Sequence, residues 1–246
     1  KKMNKKIILS SFASLLFLSQ ASNAEVKFGD QKNPTATLAF NAGYNSAYVW
    51  RGIDQNSGSG SPYIGADLTT APGIYLGVWT AAAQISSGNS QELDIYGGIA
   101  KTFGAFTVDV GVIEYRYPGA NTASTPVNFL EYYGKVKLTP DKAPYSVQIA
   151  YFQDDTKGQK TSSTVSGRGK NYQEISGTYD LGFATLAASY GEYKNETDTT
   201  TVTLSKSLFD LNFAVSYLDV SKKANSIAAT TANTDKQFFF NVSKTF

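Results

Sequence analysis

From Phe238 to Phe246 the chain alternates. Phe238, Phe240, Val242 and Phe246 share one side, with Lys244 the exception, and Phe239, Asn241, Ser243 and Thr245 share the other. A period of two describes a β-strand whose faces meet different surroundings. The same alternation recurs in runs of about ten residues along the chain. The first predicted strand spans about Thr35 to Trp50, with Leu38, Phe40, Ala42 and Tyr44 opposite Asn41, Gly43 and Asn45. Further strands follow over Tyr63–Leu68, Ile74–Trp79, Glu92–Ile99, Phe106–Val112, Leu130–Leu138, Tyr145–Tyr151, Tyr172–Leu181, Phe183–Tyr193, Thr199–Leu208 and Leu211–Tyr217, before the run ending at Phe246. The count is twelve, with ten or fourteen as alternatives. Connections alternate between tight turns, such as Ala71-Pro72-Gly73 and Gly104-Ala105, and longer polar loops, such as Arg51–Ser61, Asp154–Lys170 and Ser221–Asp235.

An even number of amphipathic strands with alternating loop lengths predicts an all-β, transmembrane, antiparallel up-and-down β-barrel. Lipid offers no hydrogen-bond partners, so the first and last strands must pair. Both ends of the barrel chain then lie on the short-turn, periplasmic side. A soluble β-sandwich gives no reason for loop length to alternate. Beyond residue 24 no stretch of 18 apolar residues offers a transmembrane helix.

The first residues read differently. Lys1, Lys2, Lys5 and Lys6 precede an apolar run from Ile7 to Leu18, then Ser22-Asn23-Ala24. That order is a secretory leader, cleaved after Ala24, and the run is too short for a spanning helix of roughly 20 residues. The expected organisation is a signal peptide over residues 1–24, a short periplasmic tail over residues 25–34 and a barrel over residues 35–246. Without the four leader lysines, Lys+Arg falls from 22 to 18 against 20 Asp+Glu. The mature chain is slightly acidic, and basicity no longer argues for nucleic acid. The chain has no Cys and no His. His-dependent catalysis and His-ligated metal sites are excluded, and no other activated nucleophile stands out, so we expect no enzyme, no metal and no cofactor. Gly 21, Tyr 16 and Phe 15 suit strands with one lipid face and one wet face.

Three segments carry a family resemblance. Tyr48-Val49-Trp50-Arg51-Gly52-Ile53-Asp54-Gln55 is the first. Gly73-Ile74-Tyr75-Leu76-Gly77-Val78-Trp79 with Glu92-Leu93-Asp94-Ile95-Tyr96-Gly97-Gly98 is the second, and Tyr115-Arg116-Tyr117-Pro118 with Asn128-Phe129-Leu130-Glu131-Tyr132-Tyr133-Gly134 is the third. Together they resemble the TorF-like family of outer-membrane porin-like barrels, between about residues 40 and 135. Asp54 departs from the family pattern, which more often has a small polar residue there. The resemblance implies a porin-like barrel in the outer membrane of a Gram-negative bacterium and names no solute.

Strand parity assigns a wet inner face to Arg51, Asp67, Glu92, Asp94, Asp109, Glu131 and Lys135, with Lys137 and Gln148. Arg51, Glu92 and Glu131 fall near the extracellular rim. The expected constriction pairs Arg51 across the mouth with Glu92 or Glu131, beside Asp94 and Asp109; a static ion-pair network filling a narrow lumen is the alternative. Tyr44, Tyr48, Trp50, Tyr132 and Tyr151 are candidates for aromatic girdles. The Gly58-Ser59-Gly60 stretch reads as a flexible loop. Glu114 and Arg116 have lipid-facing parity, which a bulge or a position above the membrane accommodates. The function expected is passive diffusion of small hydrophilic solutes or ions through the barrel; the alternative is a closed-lumen barrel acting through its extracellular loops. Expected partners are outer-membrane lipid and lipopolysaccharide, the barrel-assembly machinery through the strand ending at Phe246, and the solutes themselves, with no nucleic acid.

Overall fold

The computed structural model describes residues 25–85, 89–120, 128–155, 171–194, 197–222 and 236–246. The expected leader and most of the long loops near residues 160 and 228 lie outside these. The strands are β1 (Val26–Gly29), β2 (Pro34–Asn45), β3 (Val49–Trp50), β4 (Ile53–Asp54), β5 (Ser61–Thr70), β6 (Ile74–Ala82), β7 (Gln91–Phe103), β8 (Phe106–Arg116), β9 (Phe129–Leu138), β10 (Tyr145–Asp154), β11 (Asn171–Asp180), β12 (Thr185–Tyr193), β13 (Thr197–Leu208), β14 (Leu211–Lys222) and β15 (Lys236–Thr245). β2 and β5 to β15 form a closed antiparallel ring of 12 strands, because β2 pairs with β15 on one edge and with β5 on the other. We call the end with the tight turns the turn end, and the opposite one the loop end.

The alternation read from the sequence is the alternation of lipid face and lumen. Ile64, Leu76, Val110, Ile149, Ile175 and Val215 are exposed on the outer surface. Tyr44, Tyr132, Tyr151 and Tyr190 are exposed near the loop end and Phe103, Phe106, Tyr145 and Phe183 near the turn end. These are two aromatic bands flanking an apolar belt, as a bilayer requires. Glu114 and Arg116 sit at the loop-end tip of β8, where they bridge each other at 2.9 Å and the ladder carries no bulge. Lys244 lies 5.2 Å from the Phe246 ring.

Closure has a seam. β15 covers only Asn41–Asn45 of its edge of β2. The remainder is taken by β1, from Val26 opposite Leu38 to Gly29 opposite Pro34. Between the two, Phe40 and Phe246 exchange backbone hydrogen bonds at 3.0 and 2.7 Å. The stretch expected to be a tail is therefore partly a strand that continues the line of β15. Its place follows from the need to satisfy every backbone group along β2.

Inside, a repeated device packs the wall. Tyr63 stands opposite Gly43, Tyr75 opposite Gly98, Tyr96 opposite Gly77 and Tyr133 opposite Gly111. In each case a Cβ on the glycine would collide with the tyrosine ring. The rings lie across their glycines, along the wall rather than straight into the bore, as aromatics cover cross-strand glycines elsewhere. Two substitutions separate the faces. Val110→Arg, at the middle of β8 on the lipid face, is expected to cost about 2–4 kcal/mol in urea unfolding from lipid vesicles, as charges do at midplane. Gly111→Val, one residue on, is expected to cost about 1–3 kcal/mol through overpacking against Tyr133 instead.

Candidate functional site

The first strand does not run to Trp50. β2 stops at Asn45, and residues 46–60 turn into the barrel at the loop end. β3 and β4 form a two-residue hairpin around Arg51 and Gly52, both with positive φ, at 49° and 80°. That is the geometry of a type I′ turn, which glycine accepts freely and arginine only under constraint. A side chain at Gly52 would strike Thr199 and Val220, so the hairpin tip presses against β13 and β14. The alternation of residues 48–50 persists, but both faces look into the lumen. Val49 packs with Leu218, Val220 and Phe239 of one wall, while Tyr48, Trp50 and Ile53 join the aromatic cluster of the other. Tyr48 and Trp50 are thus plug residues and not girdle residues.

The wedge is fastened at many points. Thr197 Oγ1 donates to the Arg51 carbonyl at 2.7 Å, and Gln84 N donates to the Gln55 carbonyl at 2.7 Å. Tyr48 Oη donates to Glu92 Oε1 at 2.9 Å. The Asp54 carboxylate accepts from the backbone N–H groups of Asn56 and Gly58, which orders the Gly/Ser stretch that reads as flexible in sequence. The residue that departs from the TorF-like pattern is here a turn cap.

Arg51 is the centre of the arrangement. Its side chain is fully buried and forms a two-pronged pair with Glu131, Nη1 to Oε1 at 2.7 Å and Nη2 to Oε2 at 2.9 Å. Its guanidinium carbon lies 4.3 Å from the Trp50 ring, 4.8 Å from Phe152, 4.4 Å from Tyr172 and 5.3 Å from Tyr193. Of the two expected partners, Glu131 takes the pair and Glu92 holds Tyr48. Asp94 is fully buried beside Glu92. Deeper in the barrel, Asp109 accepts from Tyr75 Oη at 2.6 Å and faces Lys135 Nζ at 3.7 Å. Tyr75 and Tyr133 share a hydrogen bond. Asp67 accepts from Tyr96 Oη at 2.5 Å and from Asn41 Nδ2 at 3.3 Å. Lys137 and Gln148 are partly exposed on inner faces nearer the turn end. Glu174 and Asp154, which parity places inside as well, were missed as candidates; Glu174 accepts from Tyr172 Oη at 2.8 Å.

Two features describe the lumen as a whole. Accessibility is graded along its axis. On β13 the inner face reads Thr197, Thr199, Thr201 and Thr203 at 0, 4, 5 and 8% exposure, then Ser205 partly exposed and Ser207 exposed. β7 shows the same gradient, with Glu92, Asp94 and Tyr96 buried, Gly98 and Ala100 partly exposed and Thr102 open. Along these two strands the inner face is packed at the loop end and more accessible toward the turn end, while Thr107 and Ser146, beside the tight turns of β8 and β10, are buried. The second feature is asymmetry. Among the described residues, the buried inward charges lie on β5 to β11 or on Arg51. Between Thr185 and Val220, and along β15 and β2, the alternate inner positions carry hydroxyls, amides and apolar residues, Tyr193, Leu218 and Phe239 among them, and none is charged.

Residues 30–246 match the family described as "Bacterial protein of unknown function (Gcw_chp)". The chain belongs to this family. The matching family does not bear the TorF-like name; the barrel fold that the resemblance implies is shared with solved porin structures. A KdgM porin aligns at a TM-score of 0.55 with 13% identity, covering 86% of this chain and 99% of its own. A NanC porin in a rhombohedral crystal form aligns at 0.52 with 14% identity, covering 84% and 97%. Identity this low establishes a shared fold and no shared solute. A comparison with functionally described protein sequences returns no match.

The Arg51–Glu131 contact gives a measurable expectation for this Gcw_chp barrel. Glu131→Gln leaves a buried guanidinium without its counter-charge and is expected to cost about 3–5 kcal/mol in urea unfolding. Adding Arg51→Ala to it is expected to cost less than the two separate losses combined, since the residues act as one unit.

Proposed function

We propose that this barrel is an outer-membrane channel for passive diffusion of small hydrophilic solutes or ions, with residues 46–60 as the closed gate of its extracellular mouth. The observation that carries the reading is the axial gradient of exposure. A barrel built only as a scaffold has no need of an inner surface that is lined with polar groups, more accessible at one end and sealed at the other. The seal is a single short segment, held by hydrogen bonds, the Arg51–Glu131 pair and the packing of Tyr48, Val49, Trp50 and Ile53. The turn end is taken as periplasmic and the loop end as extracellular, the orientation that short turns and long loops have in outer-membrane barrels. Insertion by the barrel-assembly machinery through the strand ending at Phe246, and lipopolysaccharide against the loop-end aromatics, belong to the same proposal.

Asp67, Glu92, Asp94, Asp109, Glu131, Asp154 and Glu174 outnumber Arg51, Lys135 and Lys137 on the inner surface, which favours cations in the bore. The full burial of Arg51 favours a second reading, a permanently closed barrel that acts through its extracellular loops.

Single-channel recording in planar bilayers separates the two. Arg51→Ala is expected to conduct in larger and longer openings than the parent chain, with a reversal potential in a KCl gradient that favours potassium over chloride. Silence of both proteins would leave the closed-barrel reading; an anion preference would contradict the role given to the inner carboxylates.

A further inference from the structure

The surroundings of Arg51 are those of a ligand site. A planar cation lies among four aromatic rings with centroids 4.3 to 5.3 Å away, and a carboxylate grips its edge through two parallel hydrogen bonds. Glu131 and three of those rings, Phe152, Tyr172 and Tyr193, belong to barrel strands β9 to β12. Only Trp50 and the cation itself come from the hairpin. The two parts are therefore separable. If residues 46–60 leave the lumen, the carboxylate and three rings stay behind on neighbouring strands.

We propose that this residual constellation is a guanidinium-binding site, filled in the closed state by the chain's own Arg51 and open to guanidinium-bearing solutes when the hairpin withdraws. The chemistry selects this class over other cations. A guanidinium is flat, weakly hydrated and carries paired N–H donors that match a carboxylate edge, whereas an ammonium is a strongly hydrated point charge. Aromatic faces add attraction for a cation stripped of water. Thr197, which holds the Arg51 carbonyl, binds the hairpin and not the cation, so it stays with the wall and does not define the ligand. An entering guanidinium competes with Arg51 for Glu131 and so favours the open mouth. The role of the bound group as a permeating solute rests on the channel reading; the site itself does not.

The test is chemical rescue of Arg51→Ala in detergent, read as thermal unfolding without any current. Methylguanidinium is expected to raise the melting temperature saturably. Methylammonium and tetramethylammonium at equal ionic strength are expected to need at least tenfold higher concentration for the same shift, about 1.4 kcal/mol of preference. Arg51→Ala with Glu131→Gln is expected to lose the difference between the cations. Should Arg51→Ala alone fail to refold, the same comparison is read as the folded fraction recovered with each cation. Equal effects of the three cations, or no effect of methylguanidinium, overturn the proposal. Rescue in a barrel that stays silent in bilayers keeps the site and overturns the passage.

Discussion

A buried guanidinium holds the closed mouth together. Taking such an ion out of water costs several kcal/mol, and the cost is offset only where geometry is good and the donors are matched. Arg51 meets that condition through the two hydrogen bonds to Glu131 and the rings around its faces. The consequence reaches outward. Fixing Arg51 fixes the left-handed turn at Arg51-Gly52, an arrangement of about 1–3 kcal/mol strain for a residue with a side chain. Fixing the turn sets Tyr48 against Glu92 and Val49 against β14, and the segment becomes a wedge between two walls. One charge therefore connects β9 to β13 through a short hairpin folded into the barrel.

The wedge also explains the division of the lumen. The wall from β5 to β11 carries most of the bulky rings and the buried charges, and the wall from β12 to β2 carries neutral side chains, mostly small, with Tyr193, Leu218, Val220 and Phe239 near the hairpin. Rings that lie along the wall over their paired glycines keep their bulk out of the centre of the barrel toward the turn end, where neither wall meets the hairpin. At the loop end the hairpin fills the remaining space. Twelve strands make a bore narrower than the broad aqueous channels of larger barrels, so one hairpin suffices to close it.

Most of the fold was legible in the sequence. Lipid and lumen differ so sharply that parity survives in single strands, and Ile74, Leu76 and Val78 proved to face outward while Tyr75 and Trp79 face inward. The end of the first strand was misread for a physical reason. Tyr48, Val49 and Trp50 alternate as a strand should, yet both their faces are inside. Length was the available signal: 35–50 is well beyond the about 9–11 residues a tilted strand needs to cross the bilayer. The partner of Arg51 was narrowed to Glu92 or Glu131 by their common level near the rim. The aromatic cage and the tyrosine–glycine pairs were not legible, because they depend on register between strands, and a one-residue slip would reassign every face.

The central claim is that residues 46–60 are a gate and not a permanent plug. The chain has no cysteine, so a disulfide can be introduced without competition. Gln55 and Gln84 are joined by a backbone hydrogen bond of 2.7 Å, which brings hairpin and wall within reach of a cross-link. The measurement is bilayer current through Gln55→Cys with Gln84→Cys before and after reduction. A gate predicts no openings when the pair is oxidised and reversible openings once it is reduced. Equal current in both states, or openings through the oxidised barrel, would contradict it.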